Sequence, residues 1–283
     1  MTAYIEQQRD RTSTDIYDYW YELYFLLSTL PLDREDIRHS PEVLHRLREA
    51  RWQVNESSVD QYRHRVNWTA GQCQGRVLEI GAGMGNVTRW IAANTCVTDV
   101  VAIDFQERYI RSLENFAIPK VLALYANVLT EAHLIAGHGP YDTVVLSELI
   151  EHLIFSEEIA LLQVIRPYLT PGAKWVLTTP IGFMPDPDHK RGFIKSWFIT
   201  RSRLLYGTVT ATGDNTIQQF VVCQHRPLSS MRRHFQDCVA QLLDWVLVIR
   251  PSEPWTTLST LLRIPRRVLG KFSRSILTWI TPI

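Results

Sequence analysis

The sequence is poor in cysteine, with four in 283 residues (Cys73, Cys96, Cys223 and Cys238) and no C-x-x-C pair. That spacing excludes a structural zinc framework and a secreted disulfide scaffold, and leaves reduced, buried thiols as the expectation. Net charge is scarce as well. Thirty Lys and Arg against 29 Asp and Glu leave a formal charge of +1, so wholesale coating of nucleic acid is excluded and only a local basic patch could bind it. No apolar run reaches the about 18 residues of a spanning helix, and the opening MTAYIEQQRDRTSTD lacks the apolar core of a signal peptide. A soluble, cytoplasmic protein is expected. Apolar material, by contrast, is plentiful: 46% of residues are hydrophobic, enough to fill a sizeable core and to exclude global disorder.

Three textures follow one another along the chain. Residues 1–70 are rich in Arg, Glu and aromatics. Tyr17, Trp20, Tyr21, Tyr24 and Leu27 recur at helical spacing, and PEVLHRLREARW places Pro41 near a first turn, so an N-terminal helical cap is expected. Over 71–250, the short β-rich runs RVLEI, DVVAID, VLALYA, DTVVLS and KWVLTT alternate with the helix-like NVTRWIAA, QERYIRSLENF and EEIALLQVIRPYL. Such alternation implies an α/β fold, doubly wound, with a mostly parallel sheet covered on both faces. After Pro180 a loop, PIGFMPDPDHKRG, precedes a hairpin centred on Thr212-Gly213-Asp214-Asn215. Two threadings remain open there: residues 180–224 are an insertion in the core, or the hairpin supplies its last two strands. Residues 251–283 read as a basic amphipathic C-terminal extension. Arg263, Arg266, Arg267, Lys271 and Arg274 interleave with apolar side chains, a composition suited to peripheral contact with an anionic membrane surface through Trp279.

The informative segment is Val77-Leu78-Glu79-Ile80-Gly81-Ala82-Gly83-Met84-Gly85-Asn86. An apolar strand carries an acid near its end, and three glycines then alternate before a helix. Glycine serves where a chain turns sharply and where backbone must approach a ligand closely. The spacing is G-x-G-x-G rather than the dinucleotide fingerprint G-x-G-x-x-G, which disfavours a nicotinamide-dependent oxidoreductase. An acid two residues before the first glycine suits a ligand bearing an ammonium and ribose hydroxyls better than a pyrophosphate. Asp104 ends the run VVAID, 25 positions after Glu79. A carboxylate at that strand tip can accept both ribose hydroxyls, and it can also cap the helix that follows.

These landmarks resemble the class I S-adenosylmethionine (SAM)-dependent methyltransferases over roughly residues 60–180. The resemblance implies a Rossmann-like, seven-stranded sheet and SAM as cofactor. It implies that Glu79, Gly81, Ala82, Gly83 and Gly85 surround the methionine end, that Asp104 holds the ribose, and that Phe105, Asn127 and Val128 border the adenine. Asn127 stands where many members have Asp. Ser147 closes the fourth strand, and Arg63 or Arg65, in VDQYRHRVNW, is a candidate for the SAM carboxylate, with Tyr62 and Trp68 as lid residues.

Methyl transfer needs an aligned nucleophile and, for a hydroxyl or protonated amine, a proton acceptor. Just after the fourth strand stands Ser147-Glu148-Leu149-Ile150-Glu151-His152, which gathers two carboxylates and an imidazole. His152 as general base is one reading, with Glu148 and Glu151 beside it. A divalent metal held by Glu148, Glu151 and His152 is another, not favoured. A third is that Glu151 and His152 only shape the loop on the adenine side. The segment resembles E-x-x-E-H runs in small-molecule O-methyltransferases and in metal-dependent small-RNA ribose 2′-O-methyltransferases, where a further downstream His completes the site. His189 and His225 are available for that role, and H-R-P-L-S-S makes His225 the better match. The expected function is thus methyl transfer to an O or N nucleophile of a small or lipid-linked metabolite, with nucleic acid an unfavoured acceptor. The alternatives are the metal-dependent RNA enzyme and a non-catalytic scaffold with a methyltransferase fold.

Overall fold

The computed structural model describes residues 56–182, 189–227 and 230–247. The expected aromatic stripe near Tyr17 and the basic extension over 251–283 lie outside them. The sequence runs α1 (Glu56–Gln72), β1 (Gly75–Ile80), α2 (Thr88–Ala93), β2 (Val97–Asp104), α3 (Glu107–Glu114), β3 (Val121–Tyr125), α4 (His133–Ala136) and β4 (Tyr141–Ser147). It continues through α5 (Phe155–Ile165), β5 (Leu169–Pro180), α6 (Lys195–Leu205), β6 (Thr208–Asp214), β7 (Gln218–Gln224) and α7 (Ser230–Leu247).

One seven-stranded sheet has the order β3-β2-β1-β4-β5-β7-β6. Strands β1 to β5 pair in parallel, and β7 runs antiparallel to both β5 and β6. The hairpin therefore supplies the last two strands. The reading of 180–224 as an insertion is corrected: β7 pairs with β5 along its length, from Lys174↔Gln224 to Pro180↔Gln218.

The period of two in the strands builds both faces of the core. Leu78, Ile80, Ile103, Leu146 and Leu177 point to one side, where Leu161 and Leu162 of α5 and Phe198 and Leu204 of α6 cover them. Val77, Ala102, Val145, Val176 and Val222 point to the other, against Val66 of α1, Ile91 of α2 and Leu113 of α3. Buried on both faces, the central strands carry the continuous apolar runs seen in the sequence. Strand order reverses between β1 and β4, and in such sheets the crevice beyond the strands' carboxyl ends at that point takes the ligand. No described helix is long and apolar enough to cross a membrane.

Candidate functional site

The loop after β1 is pinned to the tip of β2. The amides of Gly81 and Ala82 both donate to the Ile103 carbonyl, at 2.9 and 3.1 Å. Gly83 N–H donates to Asp104 Oδ2 at 2.9 Å, and Gln106 N–H to Oδ1 at 2.8 Å. Asp104 is thus bound to the glycine loop and to the residue that precedes α3. Each carboxylate oxygen retains lone-pair capacity for a further donor. Burial pushes its carboxyl up, while the amides of Gln106, Gly83 and Phe105 pull it back.

Gly83 and Gly85 both have positive φ, 54° and 85°. They differ in surroundings. A Cβ on Gly85 would stand 2.3 Å from Leu113 Cδ1, whereas one on Gly83 would meet nothing within 4 Å. Gly85 is therefore demanded by packing of α3 beneath the loop, and Gly83 faces the open crevice.

Glu79 is buried under this loop and accepts Thr88 Oγ1 at 2.6 Å. Burial pushes its carboxyl up to about 8, so near neutrality it holds a proton. Its position ties β1 to the start of α2. Phe105 is 66% exposed directly beside Asp104, an open aromatic face at the ribose end. Beyond β3, Val128 is buried and Asn127 exposed. The Asn127 Oδ1 accepts Leu129 N–H at 3.0 Å and its own N–H donates to Glu131, so this residue shapes the turn that borders the crevice.

At the carboxyl ends of β4, β5 and β7 a polar chain crosses the sheet. Arg65 Nη1 donates to Ser147 Oγ at 2.9 Å, and Ser147 Oγ lies 3.0 Å from Thr178 Oγ1. Thr178 donates to Glu148 Oε1 at 2.8 Å, and Gln218 Nε2 to Glu148 Oε2 at 2.7 Å. Of the two arginines on α1, Arg65, itself buried, is the one this chain of bonds brings to the sheet edge. Glu148 holds φ +53°, a left-handed conformation that a non-glycine residue adopts at a cost of about 1–3 kcal/mol. That strain turns its carboxylate toward Thr178 and Gln218 of the neighbouring strands. Thr178 and Gln218 escaped the sequence reading because a Thr or Gln inside a strand carries no motif, and only the register aligns them.

Glu151 is buried, with Oε2 accepting Thr179 Oγ1 at 3.2 Å and Oε1 lacking a hydrogen-bond partner. Burial first, and the charge of Glu148 second, raise its carboxyl well above the usual range. His152 follows on the turn, and His189 arrives from the loop after β5. The ligand atoms of Glu151, His152 and His189 all lie within 4.8 Å of one another, a set that could hold a divalent cation. The metal set drawn from sequence is corrected in two respects. Glu148 is not in this group, and His225 stands at the opposite edge of the sheet. Because β7 is antiparallel, its end at Gln224 pairs with Lys174, six residues and roughly 20 Å from Pro180, at about 3.3 Å per residue. His225 N–H donates there to Ala173 O.

Residues 78–175 match the family model described as a methyltransferase domain, while no curated protein matches the chain. Among solved structures the chain is similar to the magnesium protoporphyrin IX methyltransferase ChlM from Synechocystis PCC 6803 with bound S-adenosylhomocysteine (SAH). There the identity is 15%, the match covers 62% of this chain and 90% of that one, and the TM-score is 0.46. It is similar to the DhpI–SAH complex, at 14% identity, 74% and 98% coverage and a TM-score of 0.48. It is also similar to TehB from Haemophilus influenzae, at 12% identity and a TM-score of 0.45; that match covers 58% of this chain and spans 62% of TehB. The segment from β1 into β5, residues 78–175, is a methyltransferase domain of the class I, SAM-dependent family.

Proposed function

We propose that the chain transfers the methyl group of SAM to an O or N nucleophile of a small or lipid-linked metabolite. The observation that carries this reading is the Gly83 amide bonded to Asp104 with open space above Gly83. A loop so held presents backbone and a ribose-binding carboxylate to one crevice. SAM would lie along the carboxyl ends of β1 and β2, its sugar on Asp104, its adenine between Phe105 and the Asn127–Val128 turn, and its carboxylate toward Arg65. The chemistry that SAM supplies when bound is an electrophilic methyl on a sulfonium, and the chain's task is to align the acceptor and receive its proton.

The acceptor would sit over β4, β5 and β7, facing Glu148 and Gln218. The rim there is apolar: Ile181 and Ile217 are 39% and 40% exposed and joined by a backbone hydrogen bond of 2.8 Å, and Ile194 is 42% exposed. Such a rim favours an acceptor with an apolar body.

A second reading, a metal-dependent RNA ribose methyltransferase, is favoured by one observation, the Glu151–His152–His189 group. Titration calorimetry with SAM, set against NADH, tests the shared premise: SAM alone should bind. Absence of binding at millimolar SAM would leave the domain a non-catalytic scaffold. Transfer of radiolabelled methyl to a long-chain catechol, indifferent to EDTA, supports the first acceptor class. Transfer to a short RNA that EDTA abolishes supports the second.

A further inference from the structure

The turn after β4 and the loop after β5 bring together two imidazoles that lie 37 residues apart in sequence. His152 and His189 stand edge to face, with ring centroids 4.6 Å apart and planes at 72°. His189 is buried to 7% exposure, and Glu151, 1% exposed, places its unpartnered Oε1 among the same atoms. Burial keeps that carboxyl above the usual range, so it supplies little negative charge to the pair near neutrality.

The loop that carries His189 is fastened from below. Lys190 and Arg191 N–H both donate to the Glu151 carbonyl, at 2.9 and 3.1 Å. The buried Arg191 guanidinium donates to Ile150 O at 2.8 Å, Glu158 Oε2 at 2.7 Å and Asp244 Oδ2 at 3.0 Å. It thereby ties the turn, α5 and α7 to one point, two residues from His189. Arg201 of α6 binds the same two acids, so two cations face two anions in this buried cluster. A buried guanidinium costs several kcal/mol unless it is paired, on the order of the penalty per buried ion. The pairing meets that cost, and what the guanidinium fixes is the approach of one imidazole to the other.

We propose that His152 and His189 form a paired proton acceptor for the methyl acceptor, the two imidazoles holding one proton between them, with Arg191 as the positioning residue. The inference rests on the methyl-transfer reading. In that step a lone pair on the acceptor's O or N forms the bond to the methyl carbon. The electron pair of the S–CH3 bond goes to sulfur and leaves neutral SAH. The proton displaced from the acceptor passes to the imidazole pair, which returns it to water. Two imidazolium ions this close oppose each other, so the second protonation is disfavoured and the pair titrates as a unit. The other charged groups around it are Glu148 and Glu151 on the turn, Lys190 and Arg191 on the loop, and Glu157 of α5, whose carboxylate pairs with Lys190 at 3.2 Å.

Histidine ¹⁵N NMR on the full chain, from pH 5 to 9, tests the pair without a known acceptor. Signals are assigned with His152→Gln and His189→Gln, and folding is followed by far-UV circular dichroism. Both rings should report two steps separated by about one pH unit or more. His189→Gln should reduce His152 to a single step, and Arg191→Met should do the same with His189 still present. Should Arg191→Met fail to fold, His189→Gln carries the test alone. A His152 titration that ignores His189→Gln overturns the proposal, and so does coupling that EDTA removes, which would make the group a metal site. SAM calorimetry on the same samples separates the two failures. Retained SAM binding with uncoupled rings sinks only the pair, and coupled rings without SAM binding sink only the methyl-transfer reading.

Discussion

The Gly83 amide and the Asp104 carboxylate are joined by a 2.9 Å hydrogen bond that closes the loop after β1 onto the tip of β2. The same carboxylate receives Gln106 N–H, so Asp104 organises its own surroundings before any ligand arrives. Asp104→Ala should therefore weaken SAM binding twice over, by removing a charge-assisted acceptor and by loosening the loop. The expected loss is about 1.5–3 kcal/mol, read by calorimetry as roughly a 10- to 150-fold higher Kd. An unchanged Kd would reduce Asp104 to a local cap.

Two glycines two residues apart should respond differently to substitution. At Gly83 a new side chain meets open space, so Gly83→Val pays the left-handed backbone strain, about 1–2 kcal/mol, and fills the crevice. The protein should fold and lose SAM. At Gly85 a Cβ drives into Leu113, so Gly85→Val should lower the urea midpoint markedly as well. Parallel urea melts and SAM titrations of the two variants check this, and equal stabilities would contradict the packing argument.

Much of the core was legible in the sequence for a physical reason. Central parallel strands are buried on both faces, so VVLS and VVAID are apolar throughout and cannot be mistaken for surface. The loop was legible because three positive-φ glycines and a strand-tip acid leave a fixed spacing. The acceptor side was not. Which histidine approaches the E-x-x-E-H turn depends on the direction of β7, and nothing local to His225 or His189 encodes it. The helix KSWFITRSRLL was missed, its last residues read as the start of the hairpin. Its Arg201 looks like a solvated charge, yet it is fully buried because Glu158 and Asp244 meet it from helices far away in sequence.

Stability should vary with pH in opposite senses at two buried glutamates. Glu79 has a folded value of about 8, above its ordinary 4.5. Between those limits the folded state keeps a proton that the unfolded chain has lost, so this contribution falls as pH rises from 4.5 to 8. Glu158 is held down to about 2, with Arg201 and Arg191 outweighing its burial. Its contribution is present above 4.5 and is lost as pH falls toward 2. Urea midpoints should accordingly peak in mildly acid solution. Glu79→Gln should flatten the alkaline slope, whereas Glu158→Gln, which strands two arginines, should cost about 3–5 kcal/mol. A wild-type midpoint still rising between pH 6 and 8 would contradict the protonated state of Glu79.

The two ends of β7 should differ in function although they belong to one strand. Gln218 begins the strand at the carboxyl edge of β5 and donates to Glu148, while His225 follows its far end, beside Ala173. Burial and the nearby charges of Arg166 and Arg233 hold the His225 imidazole below its ordinary value, so it is mostly neutral near pH 7 and has no charge to offer a distant site. His225→Ala should leave the SAM Kd within about twofold, since a substitution roughly 20 Å from the crevice with no shared partners is additive with it. Gln218→Ala removes one of the two donors on Glu148, so the carboxylate is free to turn within its strained backbone. The SAM Kd should again hold, while KM for a long-chain catechol or a short RNA, whichever accepts the methyl, should rise. A His225→Ala variant that loses SAM binding or methyl transfer would mean that the antiparallel course of β7 does not govern the site.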